Sequence, residues 1–124
     1  MARIKQTLAT ILFVVVSGTL MADEDRVDHF KGKEATSVKE AKMLLKTYND
    51  KLRALQNKEK IDGADLGEIH IMTYTLENQI AYLIADLSVL AEMLEELHLT
   101  SETGDVAKTE EKLNKYLDHA QKHD

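Results

Sequence analysis

A chain of 124 residues with a formal net charge of −6 and no cysteine, proline or tryptophan has room for one small domain. The missing thiols exclude a disulfide framework, a lipid-anchored N-terminus, a cysteine nucleophile and haem attachment through Cys-x-x-Cys-His. The acidic balance disfavours a polyanion-binding surface, and the abundance of Ala, Leu, Glu and Lys marks an all-α composition.

Residues 1–22 read as a cleaved signal peptide and imply a periplasmic protein. Arg3 and Lys5 precede an apolar run over residues 8–16, and Ser17, Gly18, Thr19 and Ala22 lead to the acidic Asp23, Glu24 and Asp25. The run is shorter than the roughly 20 residues a bilayer span needs, which favours cleavage; the alternative is an uncleaved anchor. Cleavage leaves 14 basic against 22 acidic residues, a net charge of −8. Residues 23–35 are charged and without helical periodicity, and read as an extended arm with Phe30 docked on the rest.

Residues 36–122 form the helical domain. Thr36 and Ser37 offer N-caps, Ser37 and Glu40 have capping-box spacing, and helix A is expected over residues 37–58 with Val38, Ala41, Leu45, Tyr48, Leu52 and Leu55 inward. Asp62, Gly63 and Asp65 then open helix B, residues 63–99. In it Leu66, Ile69, Thr73, Leu76, Ile80, Leu83, Leu87, Leu90, Leu94 and Leu97 alternate steps of three and four, the a and d positions of a heptad. Ala81, Tyr82, Ile84, Ala85, Val89, Ala91 and Met93 widen its apolar surface beyond a two-helix seam. After the polar run 100–103, Gly104 suits a left-handed turn and Asp105 an N-cap. Helix C, residues 105–121, has Val106, Leu113, Tyr116, Leu117 and Ala120 inward and a frayed tail. The expected fold is all-α, a three-helix antiparallel bundle or hairpin with one long central helix.

Charge is segregated. Residues 61–107 hold ten acids and no Lys or Arg, whereas residues 31–60 hold nine basic and four acidic residues. Lys42, Lys51 and Lys58 of helix A are placed to meet Glu77 or Asp86 of helix B, although exposed pairs contribute only about 0 to 1 kcal/mol.

Few residues point to chemistry. Glu95 and His98 have the Glu-x-x-His spacing of di-iron bundles, but one motif supplies too few ligands. His119 and His123, one helical turn apart near Asp118, have chelating spacing at a chain end where such pairs are commonly adventitious. Met43, Met72, Met93 and the histidines are formal haem-ligand candidates, with core filling as the plainer role of methionine. Neither Gly-x-Ser-x-Gly nor a Gly-rich phosphate loop is present, so no enzymatic activity and no cofactor are expected.

Three segments carry a resemblance: Asp28-His29-Phe30-Lys31-Gly32, residues 68–78 (Glu-Ile-His-Ile-Met-Thr-Tyr-Thr-Leu-Glu-Asn) and residues 97–105 (Leu-His-Leu-Thr-Ser-Glu-Thr-Gly-Asp). With them the chain resembles a small family of uncharacterised secreted proteobacterial proteins. The resemblance implies an envelope location and a helical domain, and brings no activity or site. It draws attention to His29, His70, Tyr74, Glu77, Asn78 and His98, of which His70, Glu77 and Asn78 suit a packing network. The expected function is contact with a protein partner or a second copy along Ile80, Leu83, Ile84, Leu87, Leu90 and Leu94. The alternative is a haem- or divalent-metal-binding bundle using histidines from separate helices.

Overall fold

The computed structural model describes residues 31–124; the signal-peptide region, His29 and Phe30 lie outside the described residues. Three helices follow one another, α1 (Val38–Gln56), α2 (Gly63–Glu102) and α3 (Val106–Ala120), and a 3-10 turn, η1 (Gln121–His123), closes the chain. Among the described residues there is no strand, and no helix is long and apolar enough to cross a membrane.

The helix starts follow from local chemistry. Ser37 accepts the Glu40 N–H at 3.1 Å; the Glu40 carboxylate turns further back than a capping box requires and takes the N–H and hydroxyl of Thr36, both at 2.8 Å. At α2, Asp62 and Asp65 complete a reciprocal box, each side chain accepting the other's N–H. Asp105 caps α3 through the Lys108 N–H, and Gly104 supplies the left-handed turn before it at φ 76°. The end of α2 lies beyond residue 99 because the polar run stays helical. Thr100, Ser101 and Thr103 return their hydroxyls to carbonyls of the preceding turn, which satisfies them without breaking the helix.

Both short helices run antiparallel to α2 and lie end to end along it. α1 covers its first half and α3 its second; α1 touches η1 but not α3. At any level the molecule is therefore two helices thick. The face of α2 that both helices grip follows a strict seven-residue spacing: Asp65, Met72, Gln79 and Thr100 are buried, and Asp86 and Met93 are half-buried. Thr75 and Leu76 are buried beside this column, while Ile69, Leu83, Leu90 and Leu97 are half-buried. The expected a/d seam is corrected by this geometry, because four of its five a positions turn outward, Leu66 being 63% exposed, Ile80 49%, Leu87 50% and Leu94 48%, with Thr73 half-buried. The compact core is Leu44, Tyr48, Met72 and Leu76, with Ala35, Leu45, Leu52 and Leu55 packed around it. On α3, Val106, Leu113 and Leu117 are exposed rather than inward, and Thr109, Lys112, Tyr116 and His119 face α2 in their place.

The ion pairs also differ from expectation. Lys58 reaches Asp65, at 2.5 and 2.7 Å, instead of Glu77 or Asp86; Lys42 donates to the His123 carbonyl, and Lys51 lies 4.7 Å above the Tyr48 ring. On the other half of α2, Lys112 meets Glu96 at 2.6 Å.

Residues 31–35 are held on α2 by a polar ladder. The Lys33 N–H donates to Thr75 Oγ1 at 3.0 Å, Asn78 Nδ2 donates to the carbonyls of Lys31 and Lys33, and the fully buried Gln79 donates to Lys33 and to Thr75. Gly32, at φ 69°, lies so close to α2 that a Cβ there would stand 2.7 Å from the Thr75 nitrogen and the Tyr74 carbonyl carbon.

Two outcomes follow from these contacts. Gly32→Ala combines a left-handed residue with a clash against helix backbone, so it destabilises the fold by about 2 to 4 kcal/mol; chemical denaturation measures this. The Lys58 ammonium, then the Asp62 N–H, holds the Asp65 carboxyl below the usual carboxylate range. Its stabilisation is therefore complete above about pH 4 and is lost as the pH falls through the lowered value. In urea titrations, the stability gap between wild type and Asp65→Asn narrows as the pH falls from about 5 to about 3.

Candidate metal centre

The start of α1 meets η1, which follows the end of α3, near Asp86, and the most concentrated chemistry of the described residues lies there. Asp86 stands in the inward column of α2, one heptad after Gln79. His119 is in the last turn of α3, and four residues later His123 closes η1, so both rings project to one side of the chain end. The Asp86 Oδ2 accepts from His119 Nε2 at 2.9 Å and from His123 Nε2 at 2.6 Å. The side chains of Asp86, His119 and His123 are 15%, 11% and 18% exposed, and one ligand atom from each lies within 4.8 Å of the others.

The electrostatics explain how a carboxylate stays ionised here. Burial pushes the Asp86 carboxyl upward, but the hydrogen bonds from His123 and His119 outweigh it and leave the group below the usual carboxylate range. An ionised carboxylate only accepts, so each imidazole presents an Nε2–H to it. Lys42 Nζ donates to the His123 carbonyl and ties the chain end to α1. A cavity of about 270 Å³ beside Asp86 is lined by Thr36, Ser37, Val38, Lys39, Tyr82 and Lys122. Its Lys39 and Lys122 ammonium groups lower the affinity for a cation.

Two imidazoles and one carboxylate make a donor set for first-row divalent ions, zinc foremost, with ligand atoms at about 2.0 to 2.2 Å from the ion. Each histidine stands at hydrogen-bond distance from Asp86, and the three ligand atoms lie within 4.8 Å of one another; in a tetrahedral site such atoms stand roughly 3.3 Å apart. Admitting an ion therefore takes a side-chain adjustment and the release of the bridging protons.

The structure places the other candidates apart. Glu95 is exposed, and His98 lies against Glu102 at 3.2 Å on the surface of α2. His70 and Tyr74 meet at 3.1 Å, ring edge to ring face, while Asn78 holds residues 31–33 and Glu77 is exposed. Met72 fills the core, Met93 is half-buried in the inward column and Met43 is 59% exposed. Of the residues marked for partner contact, Ile80, Ile84, Leu87 and Leu94 are exposed, and Leu83 and Leu90 half-buried. His119 and His123 stand beside Asp118 in the sequence, but Asp118 is exposed, and the tail expected to fray is the ordered turn η1. Asp86 carried one usable signal: it is the only charged residue between Asn78 and Ala91. A broad apolar groove of about 490 Å³ between α1 and α2, lined by Tyr48, Leu55, Ile71 and Met72, has only Lys51 and Glu68 as charged groups and no converging ligand set.

No curated protein and no solved structure matches the chain. A model of a family of unknown function (DUF6746) matches residues 1–124, and the chain belongs to that family.

Proposed function

We propose that this is a non-enzymatic, divalent-metal-binding helical protein of the bacterial envelope, delivered to the periplasm by a cleaved signal peptide. The convergence of Asp86, His119 and His123 on one partly buried point carries the metal reading. The N-terminal charge and hydropathy pattern supports the location. Contact with other proteins falls to a separate face, the outer side of α2.

The ion would act as a clasp. His119 and His123 belong to the chain end and Asp86 to the middle of the long helix, so joint coordination closes a loop of more than thirty residues and fixes α3 and η1 on α2. Lys42 sets the orientation of η1 from the opposite side. Because binding favours the folded state alone, free zinc at about 100 times its dissociation constant adds about 2.7 kcal/mol. For a domain of this size that raises Tm by on the order of 10 °C.

Calorimetry with zinc sulfate on chelator-treated protein tests the reading. One zinc per chain is expected, with a rise in Tm that EDTA reverses, and affinity at least tenfold weaker in His119→Ala, His123→Ala and Asp86→Asn. Absence of stoichiometric zinc binding, or equal binding by the His119→Ala/His123→Ala double variant, overturns it. Circular dichroism of each variant separates loss of ligand from loss of fold.

A further inference from the structure

With α1 and α3 both on one side of α2, the opposite side carries a second stripe. Glu77, Ile80, Ile84, Leu87, Ala91, Leu94 and His98 follow one another in steps of three and four and lie on one face of the helix. All seven are exposed, Ile80, Ile84, Leu87 and Leu94 by 49%, 60%, 50% and 48%. The five central residues are apolar, and the only charged residue from Asn78 to Ala91 is Asp86, which is turned away to His119 and His123. Ala81 and Ser88, the small exposed residues along one margin, permit close approach of another helix; along the other margin Leu83 and Leu90 join the stripe to the core.

We infer that this stripe is the seam of an antiparallel homodimer, a second copy of α2 packing against the first about a twofold axis at Leu87. The spacing is the argument, because it reads nearly the same in both directions about that residue. Antiparallel pairing sets Ile80 against Leu94 of the partner subunit, Ile84 against Ala91 of the partner subunit, and Leu87 against the partner's Leu87. The same register brings Glu77 at one end against the partner's His98, an acceptor against a donor. It also lays the acidic segment Glu92, Glu95 and Glu96 alongside the uncharged stretch that begins at Asn78. Parallel pairing does the reverse, stacking Glu77 on Glu77 and the two acidic segments on each other, which costs free energy in a helix this acidic. Neither α1 nor α3 has to move, since both occupy the far side.

The seam from Glu77 to His98 is about 33 Å long at 1.5 Å per residue. A single helix pair of this length falls below the roughly 1,600 Å² of a standard interface, so the dimer is of the concentration-dependent class. The inference does not depend on metal binding.

The cysteine-free chain makes the register directly measurable. With protein expressed from the full coding sequence, light scattering up to concentrations on the order of 100 μM is expected to show a reversible dimer. Leu87→Asp should be monomeric while keeping its helical circular dichroism, the substituted side chain lying outside the core. Under oxidation, Leu87→Cys should cross-link to itself, and Glu77→Cys should cross-link to His98→Cys when the two variants are mixed but not to itself. A monomer across that concentration range, a dimer untouched by Leu87→Asp, or self-cross-linking of Glu77→Cys overturns the inference.

Discussion

The segments of this protein are held together chiefly along one column of the long helix. Asp65, Met72, Gln79, Asp86, Met93 and Thr100 recur every seven residues along α2, and each faces a different segment of the chain. Asp65 takes Lys58 from the α1–α2 turn, Met72 joins the core against α1, and Gln79 holds Lys33. Asp86 receives the two histidines at the chain end, and the Thr100 carbonyl accepts the Thr109 hydroxyl from the first turn of α3. Four of the six are polar. A buried polar group lowers stability unless it is partnered, so these positions reward one arrangement of the flanking segments far more than others.

The division of labour along α2 follows from that. The half against α1 is a small apolar core with a polar edge: Leu44, Tyr48, Met72 and Leu76 exclude water while Thr75, Asn78 and Gln79 hold residues 31–35. The half against α3 has no buried apolar residue on α3 itself, and its described polar contacts are the Lys112–Glu96 pair, the Thr109–Thr100 hydrogen bond and the histidine–aspartate cluster. With so little apolar burial there, α3 depends on its polar attachments more than α1 does. A metal clasp at Asp86 would act where the hydrophobic effect contributes least.

The acidity of α2 acquires a structural reading from the same arrangement. Its carboxylates are met along the covered side by Lys58 and Lys112, and its middle, from Asn78 to Ala91, is free of charge except for Asp86. Charge is thus gathered toward the two ends and the apolar outer stripe lies between them, an arrangement that opposes parallel self-pairing and permits the antiparallel one.

Sequence alone determined the helical class, the three elements and their order, because caps, turns and periodicity are local: Ser37, Asp62 and Asp105 act within three residues of themselves, and Gly104 turns the chain by its own backbone freedom. It also determined that α2 is apolar on more than one side. Tertiary structure decided which side is inward. Two columns of α2 have the same seven-residue spacing, and periodicity ranks them by hydropathy, so it favours Leu66, Ile80, Leu87 and Leu94 over a column that is mostly polar. The polar column is nonetheless buried because its partners arrive from distant segments. The candidate metal site was illegible for the same reason. His119 and His123 are visible as a chelating pair, but their third member stands 33 residues earlier than His119, on another helix, and only the antiparallel return of α3 brings it within hydrogen-bonding distance.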